Sequence, residues 1–334
     1  MRTIVHTGAP PDAPLTIERS ILNVPDVQLI ARGRCRTPEE VLAAVRDADV
    51  ALCSGEPYTE EVLANAPRLL AVIRYGIGVD TIDLEAATRH GVMAVNFPDF
   101  CIPEVANQAL ALLLACARRL VAQDRALRSE GWAAARRYRG PVGTIHDETL
   151  GLIAFGHIAQ ALAQRAHVLE MRVVAYDPFV SDALLAQYGV ARAASLEELA
   201  AAADYVSCHL PLNPQTRGLI GRSFFQAMKP TAFFINTSRG AVVVEQDLLA
   251  ALEAGEIAGA GLDVFEHEPI GPEHPFCRLD NVVLTPHYAS WCDQTFEKLY
   301  RRVGEAALTI VRGGVPEFVA NPEVLPHRRL PAPV

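Results

Sequence analysis

The sequence predicts an α/β protein of two doubly wound domains, and three observations carry that expectation. Short apolar segments rich in β-branched residues fall at residues 3–6, 27–30, 50–54, 70–74 and 94–96. A second series falls at 150–155, 173–176, 205–209, 232–236, 258–263 and 282–284, with helical patterns between the members of both series. Between the two series an Ala/Leu-rich stretch from Pro103 to about Glu130 reads as one long helix.

The elements have local reasons. Thr37 and Pro38 form an N-cap followed by a first-turn proline and open a helical pattern over residues 38–47. A second helical pattern covers 59–65. The 103–130 stretch is nearly apolar all round at its start, so it is expected to be buried between domains or subunits and to make the protein a homodimer. A polar, glycine-containing stretch follows to about Glu148, and a last helix is expected at 291–312, beyond the second series. The C-terminal tail is proline-rich.

Composition narrows the function. The 334 residues suffice for two domains with separate cores. A net charge of -9 gives no electrostatic reason to hold a polyphosphate, so neither nucleic acid nor an anionic membrane is an expected partner. One basic cluster, Arg136, Arg137 and Arg139 beside Trp132 and Tyr138, reads as a solvated or subunit-contacting segment, with a nucleic-acid patch as the alternative. Seven cysteines lie scattered without a Cys-x-x-Cys pair, which argues against a disulfide framework or a metal site and fits a reducing cytoplasm. The first residues run straight into a strand pattern with no signal-peptide character. The longest apolar run, residues 109–117, is too short to span a bilayer.

The segment at 150–155 leads through Ala154-Phe155-Gly156-His157-Ile158-Ala159 into a helical pattern. A turn of this kind brings backbone amides and a helix N-terminus to a dinucleotide pyrophosphate. Of the three glycines of Gly-x-Gly-x-x-Gly only the middle one, Gly156, is present, and Ala154 adds a methyl where the turn is tight. About twenty residues on, the segment 173–176 ends in Asp177, placed to accept hydrogen bonds from an adenosine ribose. A carboxylate there repels a 2′-phosphate, and no arginine follows within residues 178–181, so NAD is expected over NADP. The alternative is that Asp177 only caps the turn into Pro178.

Arg239, Glu268 and His287 follow the ends of later strand segments, where open α/β sheets place their ligands. Reduction of a 2-oxo acid needs a cation for the carboxylate, a proton donor for the carbonyl oxygen and a group that tunes the donor. Arginine offers planar bidentate donors. Histidine, with a free pKa of about 6.5, gives and takes a proton near neutrality, and a neighbouring carboxylate stabilises its imidazolium. Taken singly, each could equally belong to a structural ion pair.

The chain resembles the D-isomer-specific 2-hydroxyacid dehydrogenase family over nearly its whole length. The resemblance is carried by Tyr75-Gly76-Ile77-Gly78-Val79-Asp80, Leu150-Gly151-Leu152-Ile153-Ala154-Phe155-Gly156, Tyr176-Asp177-Pro178, and His209-Leu210-Pro211-Leu212 with Thr216-Arg217-Gly218-Leu219. Asn236-Thr237-Ser238-Arg239-Gly240, Leu262-Asp263-Val264-Phe265 with Glu268-Pro269, and Thr285-Pro286-His287 complete it. It implies a Rossmann-type NAD-binding domain, residues 103–290, inserted in a flavodoxin-like substrate domain, residues 1–102 plus 291–334, with the active site in the cleft between them. It also implies site residues. Arg239 orients the substrate, His287 is the acid/base and Glu268 is its partner. Gly156, His157, Ile158 and Asp177 line the phosphates and ribose. Leu210, Pro211 and Thr216 border the adenosine side, and Thr237, Ser238, Arg239, Asp263 and His287 the nicotinamide half. Arg74, Tyr75, Gly76, Ile77 and Gly78 contact the substrate, chiefly through the amides of Ile77 and Gly78.

The departures from the family pattern bear on substrate and assembly. Asn107-Gln108 stand where many members have an acidic–His pair, and His157 replaces a frequent arginine. Cys53 occupies the place of a phosphate-binding arginine in the phosphoglycerate-oxidising branch, and with the lack of a C-terminal regulatory domain this weighs against 3-phosphoglycerate. Arg74 is similar to the bacterial relatives of the C-terminal-binding-protein corepressors, which admits a second reading as an NAD(H)-sensing regulatory protein. Trp291 either matches a tryptophan of that group or starts the last helix as a core residue. Glu268 argues against formate dehydrogenases, which pair their histidine with glutamine, and phosphite enzymes carry a lysine near Arg74 that this chain lacks. Arg74 suggests a second polar group on the substrate, while Tyr58, Tyr75, Tyr288 and Trp291 suggest a bulky or aromatic tail.

Overall fold

A computed structural model describes residues 1–137 and 142–332. Tyr138 and Arg139 of the basic cluster lie outside the described residues. The chain divides into two compact units, Met1–Cys101 with Cys292–Val334, and Ile102–Trp291. Ile102 and Trp291 fall in the inserted unit rather than the outer one, because Ile102 opens a helix and the Trp291 ring stacks on Tyr288.

The outer unit holds a parallel sheet of β1 (Arg2–His6), β2 (Val27–Ala31), β3 (Val50–Cys53), β4 (Ala71–Arg74) and β5 (Met93–Val95), in the order β2-β1-β3-β4-β5. That is the flavodoxin-like order. Strand residues alternate between two cores. Ile4, Leu52 and Ile73 face one, which the helices Thr16–Leu22 and Asp293–Val311 cover, and Val5, Ala51 and Val72 face the other, covered by Pro38–Val45. Leu299, Val303, Ala307 and Ile310 give the last helix its buried stripe, which is why the chain returns to this unit at its end.

The inserted unit holds β6 (Thr149–Ile153), β7 (Arg172–Tyr176), β8 (Ala191–Arg192), β9 (Tyr205–Cys208), β10 (Phe233–Asn236), β11 (Gly259–Leu262) and β12 (Val282–Leu284), all parallel, in the order β12-β11-β10-β9-β6-β7-β8. This is the Rossmann order with one further strand on the β11 side. Leu150, Leu152, Tyr205, Phe233 and Ile235 face one core, and Ile153, Val206, Cys208 and Phe234 the other.

The expected single helix from 103 to 130 is two helices, Ile102–Ala117 and Leu120–Glu130, bent by 58°. The break is at Arg119, which takes a left-handed φ of 51° and turns inward. Its guanidinium lies 4.7 Å from the Phe233 ring centroid and donates to the Ala258 carbonyl at 3.2 Å. The first helix spends its apolar face inside its own unit, on β10, β11 and the helix His157–Val168. No single helix among the described residues is long and apolar enough to cross a membrane.

Candidate active site

The cofactor half of the site starts where β6 ends. Ala154 adopts a left-handed φ of 69°, a conformation a glycine takes at little cost, so the missing first glycine leaves a strained turn. Gly156 then N-caps the helix His157–Val168 without any side-chain cap, so the first-turn amides of that helix are not taken by its own cap residue. A Cβ added at Gly156 would meet no atom within 4 Å, which leaves open room at the helix N-terminus. His157 is exposed and Ile158 half-buried there.

Asp177 follows β7 and does two things at once. Its Oδ2 accepts the Phe155 amide proton at 2.8 Å, tying it to the glycine turn, and its Oδ1 accepts the Phe179 amide proton at 2.9 Å. It therefore caps its own turn and braces the neighbouring one, and each oxygen keeps a further lone pair. Sequence reasoning missed Arg192, the last residue of β8, whose guanidinium donates to the carbonyls of Asp177 and Val180 at 2.9 and 2.7 Å. Beyond β9, Thr216 Oγ1 donates to the Pro211 carbonyl at 2.6 Å and accepts from the Asn213 amide at 2.9 Å, so residues 211–216 form a tied loop, while Leu210 packs partly against the core.

The catalytic candidates cluster at the ends of β10, β11 and β12. Asn236, the last residue of β10, accepts the Ser238 amide proton at 3.0 Å and donates to the Arg239 carbonyl at 3.0 Å, which shapes the turn carrying Thr237, Ser238 and Arg239. Thr237 Oγ1 is buried and meets no hydrogen-bond partner among the described residues. Open space at the Gly156 helix start, the acid just after β7 and this buried hydroxyl together fit a dinucleotide. Arg239 is half-buried and donates to the Ser238 carbonyl at 2.8 Å.

His287 Nδ1 lies 2.7 Å from Glu268 Oε2, and Glu268 Oε1 accepts the Phe265 amide proton at 3.0 Å. Partial burial is the largest single influence on the Glu268 carboxyl and pushes it up. Hydrogen bonds from His287 and Phe265, with the charges of His287 and Arg239, outweigh burial and hold it below its ordinary value. Asp263, fully buried after β11, spends its carboxylate on the loop that carries His287, accepting from Thr285 Oγ1 and from the Tyr288 and Ala289 amides.

The outer unit presents residues 74–78 after β4. Gly76 has a φ of 154°, and a Cβ there would strike the Arg74 guanidinium, so arginine and glycine are packed together. Asn96 Nδ2 donates to the Ile77 carbonyl at 2.6 Å and fixes the turn. Two of the four aromatic cues are engaged elsewhere. Tyr58 is fully buried with its hydroxyl 3.0 Å from Thr7 Oγ1, and Tyr75 donates to the buried Glu18 at 2.7 Å while stacking on His6. Tyr288 and Trp291 remain, 49% and 50% exposed, with stacked rings 5.4 Å apart.

Residues 110–289 match the family described as D-isomer specific 2-hydroxyacid dehydrogenase, NAD binding domain. A glyoxylate reductase of Korarchaeum cryptofilum is 39% identical over 86% of this chain and 87% of its own. The chain belongs to the D-isomer-specific 2-hydroxyacid dehydrogenase family. A D-3-phosphoglycerate dehydrogenase of Methanocaldococcus jannaschii is 36% identical over 88% of this chain and 56% of its own. The holo structure of D-mandelate dehydrogenase from Rhodotorula graminis superposes with a TM-score of 0.85 at 27% identity, over 96% of this chain and 97% of its own. As a family member, the chain is an NAD-dependent 2-hydroxyacid dehydrogenase acting on small 2-hydroxy or 2-oxo acids, and the inserted unit is its NAD-binding domain.

Proposed function

We propose that this dehydrogenase interconverts a small D-2-hydroxy acid and its 2-oxo acid with His287 as acid/base, Glu268 as its partner and Arg239 as the substrate anchor. The observation that carries the reading is the 2.7 Å His287–Glu268 pair at the strand ends that also bear Arg239. NAD supplies or takes the hydride when bound. In the reducing direction, Arg239 grips the carboxylate and carbonyl of the 2-oxo acid with its planar donors. With Nδ1 turned to Glu268, Nε2 of His287 carries the proton that passes to the ketone oxygen. Glu268, kept ionised, favours the charged imidazolium before that transfer. In the oxidising direction the neutral imidazole takes the hydroxyl proton. The amides of Ile77 and Gly78, beside Gly76, are assigned to the substrate carboxylate. Arg74 and Tyr75 complete that segment, with Tyr75 contributing backbone rather than its occupied hydroxyl.

On the cofactor side, His157 and Ile158 at the helix start receive the pyrophosphate, and Asp177 the ribose. Leu210, Pro211 and Thr216 flank the adenosine, and Thr237, Ser238 and Asp263 the nicotinamide half. The Asp177 carboxylate disfavours a 2′-phosphate, which supports NADH over NADPH. The full burial of Cys53 supports a substrate other than 3-phosphoglycerate.

The proposed assembly is a homodimer. The helix Leu120–Glu130 buries none of its residues within its own unit, and Leu120, Leu127 and Trp132 are 62%, 45% and 72% exposed. A cytoplasmic setting is proposed from seven cysteines that are all free thiols. The deciding experiment is an NADH oxidation screen with glyoxylate, pyruvate, hydroxypyruvate and phenylpyruvate, repeated with NADPH, beside light scattering. Turnover of at least one acid, faster with NADH, on a dimer is expected. Retained NADH binding with no turnover of any acid would favour the regulatory reading.

A further inference from the structure

The proposed acid/base stands on a backbone that does not hold itself. His287 has a φ of 54°, in the left-handed region that a residue with a Cβ adopts only when its surroundings impose it. The surroundings that do so converge on one buried residue, Asp263. Its amide donates to the Asn236 carbonyl at 3.0 Å, and its carbonyl accepts the His287 amide proton at 2.7 Å. Its Oδ1 accepts from Thr285 Oγ1 at 2.5 Å and from the Tyr288 amide at 2.8 Å, and its Oδ2 from the Ala289 amide at 2.9 Å. One side chain thus holds the loop on both sides of the histidine, and its backbone joins that loop to the turn that carries Arg239.

The Thr285 hydroxyl has a single proton, and the Asp263 carboxylate, an acceptor only, takes it. The Thr285 oxygen is then an acceptor for Gln108 Nε2, 3.2 Å away. Gln108 is on the helix Ile102–Ala117, whose buried face is locked against β10 and β11, so it links a rigid element to the loop. We propose that Gln108 and Thr285 are positioning residues for His287, acting through Asp263 to keep the imidazole aimed at the reacting oxygen. This rests on the reading of His287 as acid/base. The chain Gln108–Thr285–Asp263 fixes the loop and touches neither substrate nor transferred proton, so its loss should fall on turnover.

The test compares Thr285→Val, which removes the hydroxyl, with Thr285→Ser, which keeps it, and adds Gln108→Glu, which keeps the size but cannot donate to the Thr285 oxygen. For each, kcat and KM are measured on the fastest acid of the four-member panel, NADH Kd by fluorescence, and Tm. The expected result is a kcat lower by ~10–100-fold in T285V and by ~3–10-fold in Q108E, the scale on which small misplacements of catalytic groups cost rate. KM, NADH Kd and Tm should stay near wild type, and T285S should recover most of the rate. The proposal is overturned if T285V and Q108E keep kcat within about twofold, if T285S is as poor as T285V, or if the losses track weaker NADH binding or a lowered Tm. His287→Ala, run in parallel, separates the two layers. Loss of turnover in H287A with none in T285V or Q108E removes only the positioning role, whereas an active H287A removes the acid/base assignment and the positioning role with it.

Discussion

Glu268 divides its carboxylate between two donors, the His287 ring at 2.7 Å through Oε2 and the Phe265 amide at 3.0 Å through Oε1, so the partner of the imidazole is itself anchored to the backbone. Such an anchored pair keeps one ring nitrogen occupied and directs the other at a substrate. His287→Ala should therefore lower kcat by ~10²–10⁴-fold, the usual contribution of a positioned general acid or base, while KM for the 2-oxo acid and NADH Kd change little. Steady-state kinetics with NADH and a separate fluorescence titration check this, and wild-type turnover in the variant would show that another group moves the proton.

The same pair fixes a pH signature. Glu268 is held below its ordinary 4.5, so it stays charged through neutral and mildly acid solution. Reduction needs the imidazolium and should fall as pH rises, and oxidation should rise. Glu268→Gln removes the carboxylate that anchors the ring, so kcat for reduction at neutral pH should be down ~10–100-fold. Profiles of kcat/KM in both directions check this. Superimposable wild-type and variant curves would rule out the coupling.

Ala154 predicts a gain rather than a loss. At its φ of 69° an alanine costs about 1–2 kcal/mol over its ordinary conformations, and glycine removes that cost while adding roughly 0.5–1 kcal/mol of unfolded-chain entropy. Ala154→Gly should be more stable by about 0.5–1 kcal/mol in urea unfolding, with NADH binding at least as tight. A destabilised variant would mean that the methyl packs usefully against its neighbours.

His6 predicts acid sensitivity in the outer unit. Burial lowers its pKa from 6.5 to about 4, opposed by the Glu56 charge, and its Nδ1 accepts the Gly8 and Ala9 amide protons at 3.1 Å. Between those two values the unfolded chain binds the proton more readily than the folded one, so stability is full above pH 6.5 and declines toward pH 4. The decline attributable to His6 is ~3 kcal/mol at its limit. His6→Asn keeps an acceptor for both amides and does not titrate, so its Tm should drop less between pH 7 and pH 4.5, as calorimetry would reveal. Equal slopes for the two proteins would remove His6 from the account.

Much of the architecture was legible because strands in covered parallel sheets are short, apolar and β-branched, and the expected segment at 282–284 is β12 to the residue. The three proposed catalytic residues were legible because Arg, Glu and His follow strands whose ends must meet in a parallel sheet. The break at Arg119 was not, since the residues around it favour helix and the inward turn comes from Phe233 and Ala258, more than a hundred positions away. Asn236 carried a weak signal, being a residue disfavoured in strands at the end of an apolar one.

Local pattern alone thus determined the alternation of elements, the glycine turn with its acid, and the residue types that could handle a carboxylate and a proton. The fold decided what those residues do with their atoms. It gave Tyr75 to Glu18, split Asp177 between two turns, and set Gln108 against Thr285 across 177 positions. Periodicity reports only neighbours three or four residues apart, or two along a strand, whereas a hydrogen bond depends on where distant segments come to rest.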